Sequence, residues 1–292
     1  MKEKKKLPAS KNNYKPSTIL ILVLSLIGFT GIASYKPAPS TGNSNDFFEK
    51  KNANTSLEKD ELLEEFEESL AENTSENSRL ESMLGFYQNH LFGIDVSHYQ
   101  GKIDWDELEF IKDSVPVSFT FMRASVGKDT KDKHFAFNWK AAESKSIARG
   151  AYHYYRPDEN STLQANNFIN SVTLTAGDLP PVLDIEALPK RQSISSLRKG
   201  ITNWLNIIEK HYGVQPIIYT GDTFYKHYLA GHGFDEYTFW IANYNPVAQP
   251  ECSNWDIWQF SMEGRIAGIN HDVDLNVFNG DSLKLQTLRI PS

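Results

Sequence analysis

The sequence predicts an α/β fold: a (β/α)8-like barrel of the TIM type with weak late helices, preceded by an N-terminal transmembrane or signal segment and an acidic helical stalk. Three observations predict the barrel. Strand-like stretches recur at 92–97, 117–124, 148–155, 181–186, 215–220, 237–243, 254–260 and 272–277, each short, apolar and bounded by turn residues. Helical spacing fills the early gaps, at 105–113, 134–146, 163–174 and 194–212, with 223–229 a shorter fifth. No Gly-x-Gly-x-x-Gly or phosphate loop follows any strand, which counts against the nucleotide site of the main alternative, a doubly wound open sheet.

Taken in order, residues 1–18 form a basic N-terminus, expected on the cytoplasmic side, with Lys2, Lys4, Lys5, Lys6, Lys11 and Lys15 against Glu3. The apolar run at 19–35 is near the ~17–20 residues that cross a bilayer. Lysines before it and none just after it place the remainder of the chain outside. It reads as an uncleaved membrane anchor or as a signal peptide with small residues near Gly31-Ile32-Ala33. Residues 36–56 have linker composition. Residues 57–90 form the acidic amphipathic stalk, with Leu62, Leu63, Phe66 and Leu70 at helical spacing and a second helical piece at Ser78 to Tyr87. The barrel domain spans 91–288. Its longest helix places Leu197, Ile201, Trp204, Leu205 and Ile208 on one stripe, with Gly213 as its stop.

Composition narrows the function. A net charge of −7 argues against a nucleic-acid partner, whose footprint is a basic patch. The single cysteine, Cys252, excludes an internal disulfide and a cysteine-based zinc cluster. Forty per cent hydrophobic and 12% aromatic residues point to a real core with an aromatic-rich surface or groove.

The chemistry concentrates in Pro180-Pro181-Val182-Leu183-Asp184-Ile185-Glu186-Ala187. Prolines are tolerated at the first residue of a strand. Alternation puts Val182, Asp184 and Glu186 on one face. Two close carboxylates oppose each other's ionisation, so one holds a proton near neutral pH, as glycosidic cleavage requires. In such a barrel reactive groups sit at the C-terminal strand ends. Asp95 on the first strand and Asp274 on the last then flank the pair, because closure makes those strands neighbours. Taken singly, each is more often a cap or turn residue; four acids at strand ends are hard to explain structurally, since unpaired buried carboxylates are costly. Tyr152, Tyr154, Tyr219, Trp240, Tyr244 and Trp258 join them at the strand ends. Core packing is the better reading of any one aromatic; their clustering favours sugar stacking. A metal alternative uses Asp95, His98, His153 and Asp272, but no helical His-x-x-x-His pair supports it, and no metal or cofactor is expected.

Gly93-Ile94-Asp95-Val96-Ser97-His98-Tyr99-Gln100-Gly101 followed by Ile103-Asp104-Trp105 resembles the opening of the family 25 glycoside hydrolases, the lysozymes or N-acetylmuramidases of bacteria, phages and some fungi. Collinear matches follow at Arg149 to Arg156, Pro181 to Glu186, Ile218-Tyr219-Thr220, Trp240 to Tyr244, Trp255 to Gln259 and Val273 to Asn276. The resemblance implies a barrel that cleaves the β-1,4 bond between N-acetylmuramic acid and N-acetylglucosamine in peptidoglycan glycan strands. It implies Glu186 as general acid, Asp184 as its partner, and Asp95 and Asp274 as flanking acids. Tyr154, Tyr219, Trp240, Tyr244 and Trp258 would line the sugar subsites, with Asn276 among the binding residues. One departure stands out: family members often carry Ala-Thr-Glu-Gly where this chain has Ala124-Ser125-Val126-Gly127.

The expected mechanism has Glu186, its pKa raised by Asp184 and the barrel mouth, protonate the leaving oxygen. The substrate's own 2-acetamido oxygen attacks while Asp184 orients it; the other route has Asp95 or Asp274 supply the carboxylate or position water. A wall-binding module without catalysis, suggested by Val126, and a metal-dependent deacetylase are the competing classes. The first would bind peptidoglycan without new reducing ends; the second would release acetate and be sensitive to chelators. Membrane attachment through the N-terminal segment, with the domain outside the cytoplasm, suits a wall substrate.

Overall fold

The computed structural model describes residues 78–112, 115–145, 147–245 and 249–291. The basic N-terminus, the apolar segment 19–35, the linker 36–56 and the stalk up to residue 77 lie outside the described residues. Among those described, no helix is long and apolar enough to cross a membrane.

Ten strands follow in chain order: β1 (Leu91–Val96), β2 (Phe110–Lys112), β3 (Val115–Val126), β4 (Thr130–Lys131), β5 (Ala148–Tyr154), β6 (Val182–Asp184), β7 (Ile217–Gly221), β8 (Phe239–Ala242), β9 (Trp255–Gly264) and β10 (Val273–Phe278). The order β1-β10-β9-β8-β7-β6-β5-β3 is closed by a β1–β3 pairing, so eight of them form a barrel. All eight predicted strands are present. The two additions, β2 and β4, are short ribbons paired to the ends of β3.

The barrel is not all parallel. β1, β3 and β5 through β9 run parallel, whereas β10 is antiparallel to both β9 and β1. The reason is the connection: a parallel return needs a crossover of about a dozen residues or more, and 265–272 is too short for one. The eight-stranded barrel is therefore mixed, and its last strand enters from the mouth.

Inward-facing residues fill the barrel with Phe119, Phe121, Val182, Ile217, Trp240, Ile257 and Phe278. Two glycines make this possible. A Cβ on Gly93 would collide with the Phe119 ring and carbonyl, and one on Gly150 with the Phe121 ring. Outside the barrel, the helices bury a second core. The helix Ile194–Tyr212 appears with its predicted bounds, its stripe of Leu197, Ile201, Trp204, Leu205 and Ile208 fully buried. At ~1.5–3 kcal/mol per large apolar side chain, this stripe is a principal fastening of the outer shell. Ser193 caps its N-terminus and Gly213 ends it at φ 72°.

The other helices are Phe135–Ala142, Ser161–Ile169, a short turn Asp222–Phe224 that widens into a π-turn at Tyr225–Leu229, and Ser282–Leu288. The predicted helix at 105–113 is absent. That stretch is turns followed by β2, with Trp105, Leu108 and Ile111 buried in the outer core. The 78–86 helix lies on the barrel domain: Met83 and Tyr87 belong to the outer core, and Tyr87 meets Trp255 and Trp258 edge-on.

Candidate active site

The barrel mouth gathers the four predicted acids from three strands. Asp95 is the penultimate residue of β1, and in the β1–β10 ladder it stands directly opposite Asp274. Asp274 reaches the mouth because β10 runs downward from it, as the second residue of its strand rather than the last. Asp184 ends β6, and its side chain points inward beside Tyr154 and Tyr219 of the neighbouring strands. Glu186 lies beyond that strand end. The Ile185 amide still bonds to the Tyr219 carbonyl at 3.0 Å, after which the chain leaves the sheet and Glu186 stands exposed.

A polar network holds Asp95. Its Oδ2 accepts hydrogen bonds from Gln259 Nε2 and Asn276 Nδ2, both at 2.8 Å. Each amide is in turn fixed. Tyr219 and Tyr244 donate their hydroxyls to Gln259 Oε1 at 2.7 and 2.5 Å, and Trp240 Nε1 donates to Asn276 Oδ1 at 2.8 Å. Since both amide oxygens are occupied as acceptors, both NH2 groups must face Asp95.

Burial dominates the electrostatics. It pushes Asp95 up to about 6, against the lowering effect of the Asn276, Gln259 and Asp274 hydrogen bonds. Asp274 rises to about 9, from burial first and then from the charge of Asp95 and their shared hydrogen bond. This pair therefore holds one proton at neutral pH, on Asp274, with Asp95 ionised. Asp184 is held well above the usual carboxylate range by burial, then by the charge and hydrogen bond of Glu186; Arg123 pulls the other way. Its Oδ1 is buried without a hydrogen-bond partner, as suits a carboxyl that is not charged. The desolvation that drives the Asp184 shift has a structural cause: β6 carries that residue inside and releases the chain just beyond it.

The aromatics divide by strand parity. Tyr154, Tyr219 and Tyr244 line the mouth, a cavity of about 240 Å³ that also includes Tyr99, Tyr152, Arg123, Gln259 and Met262. Trp240 faces inward but is buried beneath the acids, stacked on Phe121 at 4.7 Å. It positions Asn276 and forms part of the floor of the mouth cavity. Trp258 is a correction: Ile257 and Gln259 face the interior, so Trp258 faces the outer core, against Tyr87, Trp255 and Phe260, with Nε1 donating to the Asn243 carbonyl at 2.6 Å. Gln259, the residue that orients Asp95, was missed; a polar side chain two places from Ile257 on an inward face was the available signal.

The proposed metal set does not assemble. His153 is buried outside the barrel between Ser125 Oγ at 2.8 Å and Gln164 Oε1 at 3.2 Å. His98 contacts Arg123 and Asp132. Among the described residues no group of three or more His, Cys, Asp or Glu side chains is placed to hold a metal.

Comparison with known proteins agrees with this geometry. The family model described as glycosyl hydrolases family 25 matches residues 94–269. An uncharacterized protein of Escherichia coli K12, YegX, is 40% identical over 199 residues, covering 67% of this chain and 72% of its own. Lysozyme M1 of Streptomyces globisporus is 33% identical over 210 residues, covering 67% and 70%. The crystal structure of a bacterial lysozyme from Streptomyces coelicolor superposes with a TM-score of 0.61 at 32% identity, over 68% of this chain and 96% of that one. The chain therefore belongs to the glycosyl hydrolases of family 25, as a lysozyme-type enzyme.

Proposed function

We propose that this glycoside hydrolase cleaves the β-1,4 bond between N-acetylmuramic acid and N-acetylglucosamine in peptidoglycan, with Glu186 delivering the proton. The observation that carries the reading is the Asp184–Glu186 pair: a buried carboxyl that keeps its proton, hydrogen-bonded to an exposed carboxyl at the groove. Asp184 is the proton reservoir and Glu186 the end that meets the leaving oxygen. As the bond breaks, positive charge develops at the anomeric carbon. The ionised Asp95, fixed by two amides, stabilises that charge from the barrel axis.

The attacking group is the substrate's 2-acetamido oxygen. Asp184 and Glu186 come from one strand end, so they share one side of the groove. The other carboxyls, Asp95 and Asp274, are engaged with each other. Tyr154 and Tyr244, half-buried at the rim, orient the sugar. The wall substrate also favours action outside the cytoplasm, with the segment 19–35 as anchor or signal.

The test uses the full-length protein, since Met83 and Tyr87 are part of its core. Purified peptidoglycan is digested, and the muropeptides are reduced with borohydride and analysed by mass. Reduced muramic acid ends are expected, and Glu186→Gln is expected to abolish them while leaving the folded spectrum intact. Reduced glucosamine ends would move the cleaved bond. A folded Glu186→Gln protein working at the wild-type rate would refute the proton-donor assignment.

A further inference from the structure

The acid-lined mouth is the middle of a longer groove whose two arms differ in chemistry. On one side it shares Glu186, Tyr219 and Tyr244 with a cavity of about 410 Å³ walled by Leu188, Phe224 and Tyr228. On the other it shares Tyr99, Arg123 and Tyr154 with a cavity of about 550 Å³. The walls of that second cavity carry Arg123, Lys131, Lys133 and Arg156 against one carboxylate, Asp132.

That carboxylate is fully engaged. Its side chain is buried, accepts from Arg123 Nε at 3.1 Å, and takes the backbone amides of His98 and His134 at 2.9 and 3.0 Å. Arg156 is half-exposed and held at 3.3 Å by Glu159, which stands outside the cavity wall. Among the described residues Lys131 Nζ donates to the Asn170 carbonyl, at 2.9 Å. Lys133 has no ion-pair partner among the described residues and is exposed. Arg123 and Arg156 are thus ion-paired, while Lys131 and Lys133 leave the cavity a net positive charge in a chain whose net charge is −7. Val126, at the end of β3, lies in the same wall. The acid that the family resemblance leads one to expect there would have neutralised part of this charge, and valine leaves it intact.

We propose that this cationic arm is a specificity subsite for a carboxylate of the peptidoglycan stem peptide, so that the enzyme prefers glycan carrying charged stems and reads the strand in one direction. The inference rests on the peptidoglycan reading above. The aromatic arm, with no cation in its wall, takes the neutral sugar on the far side of Glu186. Partly enclosed cations retain more of their attraction for an anion than fully solvated ones, and salt weakens what remains.

The experiment compares initial rates of the full-length protein on three preparations of one wall: untreated, carbodiimide-amidated to neutralise carboxylates, and hydrofluoric acid-treated to remove phosphodiester-linked polymers. Amidation is expected to raise KM about fivefold, and hydrofluoric acid to leave it unchanged. In Lys133→Glu/Arg156→Glu, and separately in Val126→Glu, the difference between untreated and amidated wall should collapse. Equal KM for untreated and amidated wall, or a preference that survives in both variants, would overturn the subsite. A rise caused by hydrofluoric acid and not by amidation would replace the carboxylate with a phosphodiester and overturn the proposal as stated. A wild-type protein releasing no reducing ends from any wall would instead defeat the muramidase reading.

Discussion

Replacing Asp274 by asparagine tests the electrostatics of the mouth through stability. The folded Asp274 carboxyl is raised from an ordinary 3.8 to about 9. A group whose folded pKa is raised contributes stability that is present below its unfolded pKa and lost as pH rises toward the folded one. For Asp274 that window opens at 3.8 and extends past neutrality. At pH 7 the chain has moved about three pH units into the window, at ~1.4 kcal/mol each, giving a ceiling of ~4 kcal/mol. Water at the open mouth and the shared proton with Asp95 reduce this, so about 2–3 kcal/mol is expected. Asparagine keeps an N–H donor toward Asp95 and has no charge to desolvate. The variant should therefore gain about 2–3 kcal/mol at pH 7.5 and nothing near pH 4, in urea unfolding at both pH values. For a domain of this size the gain is a rise in Tm of about 4–12 °C at pH 7.5. Hydrolysis should fall about tenfold or more. A gain equal at both pH values, or a loss at pH 7.5, would refute the desolvated-pair account.

Other residues make separable predictions. Gln259→Leu removes a donor that lowers Asp95, so the acidic limb of the activity profile, set near 6 by Asp95, should move to higher pH; an unmoved limb in a folded variant would contradict the role given to Asp95. Asp178→Ala breaks a buried pair with Arg149 at 2.8 Å and releases the Thr175 amide and hydroxyl, and should cost about 3–5 kcal/mol in denaturant unfolding. A loss under ~1 kcal/mol would mean that Trp139 and Glu143 suffice to hold Arg149. His153 is depressed to about 4 by burial, so the stability it lends is present above its ordinary 6.5 and lost as pH falls through 4. The destabilisation caused by His153→Gln should shrink by up to ~3 kcal/mol between pH 7 and pH 4, and a constant difference would exclude a buried neutral imidazole.

The eight barrel strands were legible because each is a short apolar run between turn residues, and strand parity placed Asp95, Asp184 and Asn276 inward correctly. Direction was not legible: a period of two reads the same in either sense, so only the short 265–272 connection distinguishes β10 from its parallel neighbours. Trp258 shows the cost of reading aromatics by nearness to a strand end. Its neighbour Gln259 faces the acids, and parity alone sends the indole to the outer core. The stretch 105–113 has apolar residues at 105, 108 and 111, which matches helical spacing. Its side chains are buried by tertiary contact instead, while β2 pairs with β3. The different burial of the two carboxyls was not legible either. Alternation predicts which face Glu186 shares with Asp184, but not that the strand stops between them.

The aromatic floor of the barrel connects these points. Phe119, Phe121, Trp240 and Phe278 fill the interior below the acids, and Gly93 and Gly150 leave the room for the first two rings. The carboxyls above this floor are dry on one side and open to the groove on the other. Desolvation from below raises the pKa of Asp184 and Asp274, and in the proposed mechanism the open side lets Glu186 meet substrate. The same packing that stabilises the barrel by apolar burial thus disfavours charge at its mouth, and the proposed proton delivery depends on both. A methyl group on Gly150 would force the Phe121 ring to move, and with it the Trp240 indole stacked upon it and the Asn276 amide that the indole fixes against Asp95. The backbone's freedom from a side chain at one interior position is in this way coupled, through two rings and one amide, to the orientation of the Asp95 carboxylate at the barrel mouth.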